Sequence, residues 1–212
     1  MDAKPPPQGV TIARDFTPLA RELAEYQLLM KDLEAAHAAL KLWFEKYASR
    51  KDLTPEQILI GQSLFRDSIV MFVGCFDKTA PLRLVASDIY KTTNQMEYFQ
   101  WLLNIRDAYA AHKFGALRQC AVGVFVDTAG NIIGPGHTNR IWAGPKVAAK
   151  DDVLSFIQLA GLHVATKILG LSRQLHESAK KMAPAELAAL KAAETHDVEP
   201  HEIRTPRHRF RR

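Results

Sequence analysis

From Leu19 to Tyr47 the chain places Leu19, Leu23, Tyr26, Met30, Leu33, His37, Leu40, Phe44 and Tyr47 in alternating steps of four and three. A helix of about 3.6 residues per turn gathers such positions into one stripe, and a stripe this long is a seam that other helices must cover. Thr17-Pro18 supplies the start, a capping hydroxyl followed by proline in the first turn. This feature alone points to an all-α bundle and away from a sheet protein. His37 takes one slot of the seam, either as a satisfied core histidine or as a polar residue that fixes register.

The chain beyond continues in kind. Thr54-Pro55-Glu56-Gln57 has the spacing of a capping box. A second helix is expected from there through the apolar run Ile69–Val73 to about Gly74. A short third helix is expected within 79–90, and a fourth from about Thr93 to Lys113, stopped by Gly115. The period then changes to two, with Cys120, Val122, Val124 and Val126 alternating. Asp127-Thr128-Ala129-Gly130-Asn131 reads as a turn, Ile132 and Ile133 begin a return strand, and 139–143 offers a third. Residues 117–146 are therefore read as a small β-hairpin inserted between helices. Within it Gly134-Pro135-Gly136-His137 reads as a turn, lacking the lysine and strand-to-helix context of a phosphate loop. Asp151-Asp152 opens another long helix to about Lys181, acids at its positive end and lysines at its negative end. Pro184 starts a short one to about Thr195. The expected fold is all-α: an up-and-down helical bundle over 16–195 with a β-hairpin insertion, a lead-in at 1–15 and a basic tail at 196–212.

That tail explains the charge. The formal net charge of +5 equals the number of arginines at Arg204, Arg207, Arg209, Arg211 and Arg212; residues 1–202 hold 23 basic and 23 acidic side chains. The body is neutral, and the tail is either a phosphate-binding arm or a solvated terminus. With 47% hydrophobic residues the chain has enough apolar surface to fold. No uninterrupted apolar run approaches the ~18 residues of a membrane span. The proline-rich start lacks a signal core. Cys75 and Cys120 make neither a disulfide framework nor a metal pattern. A cytoplasmic protein with reduced thiols is expected, without membrane, metal or cofactor.

The fourth helix concentrates the chemistry. Arg106 lies near the middle of an apolar arc, between Met96, Phe99, Leu103 and Ala110 on one side and Tyr98, Leu102, Ile105 and Tyr109 on the other. Glu97, Gln100, Asn104 and Asp107 form the opposite, solvated face. An unpaired buried charge costs several kcal/mol. Arg106 therefore needs a carboxylate (Asp67 and Asp88 are candidates), a row of carbonyls, or an anionic ligand in a crevice. Arg66-Asp67 reads as an ordinary helix-surface pair, or else as support for Arg106. His112 either caps the last carbonyls of the helix or moves protons near neutral pH. It follows Arg106 by six residues, which points the two about 120° apart on an ideal helix. They converge where the helix bends or ends, or where a second chain completes the site.

The string Asn104-Ile105-Arg106-Asp107-Ala108-Tyr109-Ala110-Ala111-His112 resembles the signature of the HEPN superfamily: arginine, a polar residue, then histidine after four to six intervening positions. The Ala110-Ala111-His112 ending is similar to that of bacterial members. The resemblance implies a helical bundle, a homodimer, and a metal-independent endoribonuclease in which the ribose 2′-OH attacks the adjacent phosphorus. It implies that Arg106 holds the phosphate, His112 moves the proton and Asp107 orients a neighbour, with arginine and histidine of two protomers meeting at the dimer interface. Toxin and defence roles occur in the family, as do catalytically silent binding modules. Two departures stand out. Phe114 occupies the place where some toxin members have tyrosine, and Tyr109 lies within the motif on the apolar arc. The hairpin is an addition to the minimal fold that could cover the site, bind a protein partner or extend the dimer. The alternative reading is a non-catalytic helical module that binds a protein, an anion or a nucleotide.

Overall fold

The computed structural model describes residues 17–80, 82–110, 118–141 and 150–190. It is an all-α helical bundle with one small antiparallel hairpin. In chain order the elements are α1 (Pro18–Lys46), α2 (Pro55–Gly74), α3 (Ala86–Ile89), α4 (Thr93–Ala110), β1 (Arg118–Val126), β2 (Ile132–Ile141), α5 (Lys150–Ala179) and α6 (Pro184–Ala189). By compactness the chain divides into two units, Leu28–Ala165 and Met1–Gln27 with Thr166–Arg212. The first holds the core and the candidate site. The second contributes the first turns of α1, the last turns of α5, and α6.

Helix starts follow local hydrogen-bond chemistry. The Thr17 hydroxyl accepts from the Ala20 N–H at 3.2 Å. At α2 the capping box is complete: the Thr54 hydroxyl accepts from the Gln57 N–H at 3.2 Å, and the Gln57 side chain accepts from the Thr54 N–H at 3.0 Å. Thr92 and Gln95 repeat the exchange at the start of α4. Each pair satisfies two amides that the first turn would otherwise leave open.

The core lies among α1, α2, α4 and α5. Leu33, Ala36 and Leu40 of α1, Phe65, Ile69 and Phe72 of α2, Leu102 and Ile105 of α4, and Ile157, Ala160 and Val164 of α5 are all buried. Buried Ser68 is satisfied by donating to the Ala36 carbonyl at 2.7 Å, which locks α2 to α1. Tyr90 stacks on Phe156 at 3.8 Å and donates its hydroxyl to the Phe156 carbonyl at 3.1 Å.

Two expectations need correction. The buried stripe of α1 runs Tyr26, Leu29, Leu33, Ala36, Leu40, Trp43 and Phe44, so Leu29 and Ala36 replace Met30 and His37 in the seam. Trp43 packs on Phe44 and Phe65 at 4.8 and 5.0 Å. The short third helix lies within 79–90 as expected, as a single turn. Before it the Asp77 carboxylate takes the Thr79 N–H and hydroxyl, and the Leu84 N–H closes onto the Cys75 carbonyl at 2.8 Å. Those bonds compete with helix formation. Gly134-Pro135-Gly136-His137 is no turn but lies within β2, which runs unbroken from Ile132 to Ile141 and leaves no separate third strand in the described residues. Pro135 sits opposite Val124, a position proline tolerates because a two-stranded ribbon is all edge. The turn at 127–131 forms as the sequence predicts, around the Asp127 carboxylate and Gly130 at φ +90°.

Helix α5 is long and apolar enough to cross a membrane by length and composition, with mean hydropathy 1.4 over its best window, 33% of which is buried. Val153, Phe156, Ile157, Ala160 and Val164 supply its buried face in the core.

Candidate functional site

Helix α4 presents its residues much as its sequence spacing requires. Phe99, Leu102 and Ile105 are buried, and Glu97, Gln100, Asn104 and Asp107 are exposed. Arg106 falls between the two faces, with a side chain 31% exposed. Neither Asp67 nor Asp88 partners it. Asp67 pairs with Arg66 at 3.2 Å on the surface of α2. The carboxylate beside Arg106 is that of its own neighbour, Asp107, whose Oδ1 lies 2.7 Å from Arg106 Nε. The N–H does not point at that oxygen, so this is an ion contact without a hydrogen bond, and Nε is shielded from solvent and unsatisfied among the described residues.

Arg106 lines a cleft of about 420 Å³ between α4 and the connection from α2 to α3. Its walls are apolar, with Val73, Phe76, Leu84, Phe99 and Leu103. Its charged members are Arg106, Lys78, Arg83 and Asp77, three cations against one anion. Arg83 is anchored by donating from Nη1 to the Lys78 carbonyl at 2.8 Å, which leaves most of its five donors for other work. Two Thr79 donors hold the Asp77 carboxyl below its ordinary range, and the positive charge of Arg106 adds to the effect. The arrangement can attract and orient an anion against an apolar wall, with guanidinium groups as charge-assisted donors.

His112 and the tail arginines Arg204, Arg207, Arg209, Arg211 and Arg212 lie outside the described residues, as does the end predicted for α4. Of the sequence-predicted site residues, Arg106 and Asp107 are thus brought together. Lys78, Arg83 and Phe76 were not singled out by sequence. They belong to no motif, and only the hydrogen bonds that fold 75–85 back on itself set them beside α4.

His37 stands at the edge of the α1 stripe. The Gln158 amide on α5 donates to its Nε2 at 3.1 Å. Partial burial, then the charge of Lys41, lower its pKa and favour the neutral ring. This matches a satisfied histidine at the border of the core. Buried Cys75 donates to the Met71 carbonyl, and burial pushes its thiol up to about 12.

The chain matches no protein-family model, no curated protein and no solved structure.

Proposed function

We propose that this protein is a HEPN-like, metal-independent endoribonuclease, a cytoplasmic toxin or defence effector that acts as a homodimer. The observation that carries the reading is Arg106: a half-buried guanidinium on the motif helix, unbonded at Nε among the described residues and lining a cleft with two further cations. In the proposed reaction the ribose 2′-oxygen bonds to the adjacent phosphorus and the phosphorus–O5′ bond breaks. The products are a 2′,3′-cyclic phosphate and a 5′-hydroxyl, and the 2′-OH proton is replaced on the leaving oxygen. His112 is assigned the proton transfer, for which a near-neutral imidazole is suited. Arg106 holds two phosphate oxygens and stabilises the charge that grows on them. Asp107 orients the guanidinium. The five tail arginines strengthen RNA binding in a salt-sensitive way.

The test is cleavage of a synthetic RNA in excess chelator. Wild type is expected to cut and to leave a cyclic phosphate, while Arg106→Ala and His112→Ala each lose at least about a hundredfold in rate with the fold kept. Intact RNA after incubation with the pure wild-type protein, or full activity in both variants, would overturn the reading. The Arg106–Asp107 contact also favours a second one, a binding module whose resting ion pair opens to take an anion. Ligand-dependent stabilisation that Arg106→Ala removes, in a protein that cuts no RNA, identifies that case.

A further inference from the structure

The connection between α2 and α3 adds something the motif does not contain. The Lys78 side chain makes no hydrogen bond or ion pair among the described residues, and Lys78 lines the Arg106 cleft. Arg83 lines it too, steadied by the Lys78 carbonyl. Both belong to a body that is neutral over residues 1–202, yet with Arg106 they face a single lining anion, Asp77, so the cleft holds a local excess of cations. Beside them is Phe76, half-buried, which packs on Phe99 at 4.6 Å and Phe72 at 5.4 Å and stacks on Tyr90 at 6.2 Å, contacts that hold its ring in place and leave part of it exposed. Cations next to a fixed aromatic wall are what one nucleotide of a single strand requires: charge for the phosphate and a π-surface for the unstacked base. The cleft volume of about 420 Å³ lies within the range of small-ligand sites.

We propose that Lys78 and Arg83 form a second phosphate subsite beside Arg106, and that Phe76 takes the base, so that the cleft holds one nucleotide of single-stranded RNA. The substrate class follows: a strand whose bases are free to leave the stack. This deepens the ribonuclease reading and rests on it for the identity of the ligand, but its test does not depend on cleavage.

The probe is a fluorescent single-stranded RNA with every 2′-OH methylated, which cannot be cut, titrated with full-length protein at several salt concentrations. Lys78→Ala/Arg83→Ala is expected to weaken binding at least tenfold and to flatten the salt slope by roughly 1.4, the loss of two phosphate contacts on a single strand. Phe76→Leu, which keeps the wall apolar, is expected to weaken binding roughly tenfold with the salt slope unchanged. A control that removes two exposed cations elsewhere, Lys46→Ala/Lys51→Ala, should stay within about twofold of wild type. Thermal melting establishes that each variant is folded. The subsite is overturned if folded Lys78→Ala/Arg83→Ala binds like wild type, if the control weakens binding as much, or if wild type fails to bind the probe at low salt. Binding with the expected losses but no cleavage of ordinary RNA leaves the subsite standing and removes the ribonuclease.

Discussion

At the scale of the residue, Arg106 carries most of the functional weight, and its neighbour decides how to read it. A buried arginine demands a partner, and the sequence alone leaves Asp67 and Asp88 as cross-helix candidates. Asp107 supplies the contact instead, and its side chain is 59% exposed. An ion pair this open to solvent contributes little, about 1 kcal/mol or less. Asp107→Asn is therefore expected to change the unfolding free energy by less than about 1 kcal/mol in urea titration. A loss of several kcal/mol would show the pair to be part of the scaffold and would leave Arg106 a structural residue. With stability unchanged, any change in RNA cleavage belongs to the chemistry of the site.

At the scale of the element, what was legible in the sequence was local. The capping box at Thr54 and Gln57, the stop near Gly74, the solvated face of α4 and the turn around Asp127 each depend on residues within a few positions of one another. What was not legible depends on distant partners. The period of α1 is plain, but whether Leu29 and Ala36 or Met30 and His37 complete its buried stripe depends on the other helices it packs against. Likewise Lys78 and Arg83 reach the cleft through backbone bonds that close a loop, and no spacing rule announces them. Two glycines put the packing of the elements to the test. A Cβ on Gly61 in α2 would stand 3.1 Å from Tyr47 Cβ and Cγ, atoms close to the backbone that cannot swing aside. A Cβ on Gly170 in α5 would meet nothing within 4 Å. Gly61→Ala is expected to lower stability by about 1–3 kcal/mol through overpacking. Gly170→Ala should raise it by about 0.5–1 kcal/mol, because alanine loses less chain entropy in a helix. Urea midpoints of the two variants moving in the same direction would contradict the packing of α2 against the end of α1.

At the scale of the whole molecule, the core imposes a pH dependence that the surface does not. Burial raises Cys75 to about 12 and raises Tyr90 as well, with the Cys75 charge a smaller cause for Tyr90. Tyr98 is pushed up to about 12, again mainly by burial and then by Asp152, and its shielded hydroxyl has no hydrogen-bond partner among the described residues. These groups have folded values above their unfolded ones. Their contribution is complete below the unfolded values, near 9 for the thiol and 10 for the phenols, and is lost as pH rises toward the folded values. Stability measured in urea should hold level from pH 7 to 9 and then fall, at roughly 1.4 kcal/mol per pH unit for each of Cys75 and Tyr90 once its unfolded form ionises. Cys75→Ala should shallow that decline from its onset. A midpoint unchanged at pH 11 would mean that these side chains reach water.

The hairpin has a consequence of a different kind. Val124, Phe125, Val126, Ile132 and Ile133 are all more than half exposed. A two-stranded ribbon leaves one outer edge of each strand's peptide groups to water, which makes it a template for another strand. Two of its irregularities oppose that outcome: Pro135 deletes a donor, and the register shift between Phe125 and Val126 kinks the ribbon. The proline within β2 and the break beside the turn are thus the features of the ribbon that disfavour edge-to-edge pairing. Pro135→Val is therefore expected to raise the protein's tendency to associate through the ribbon, read as increased light scattering on concentration.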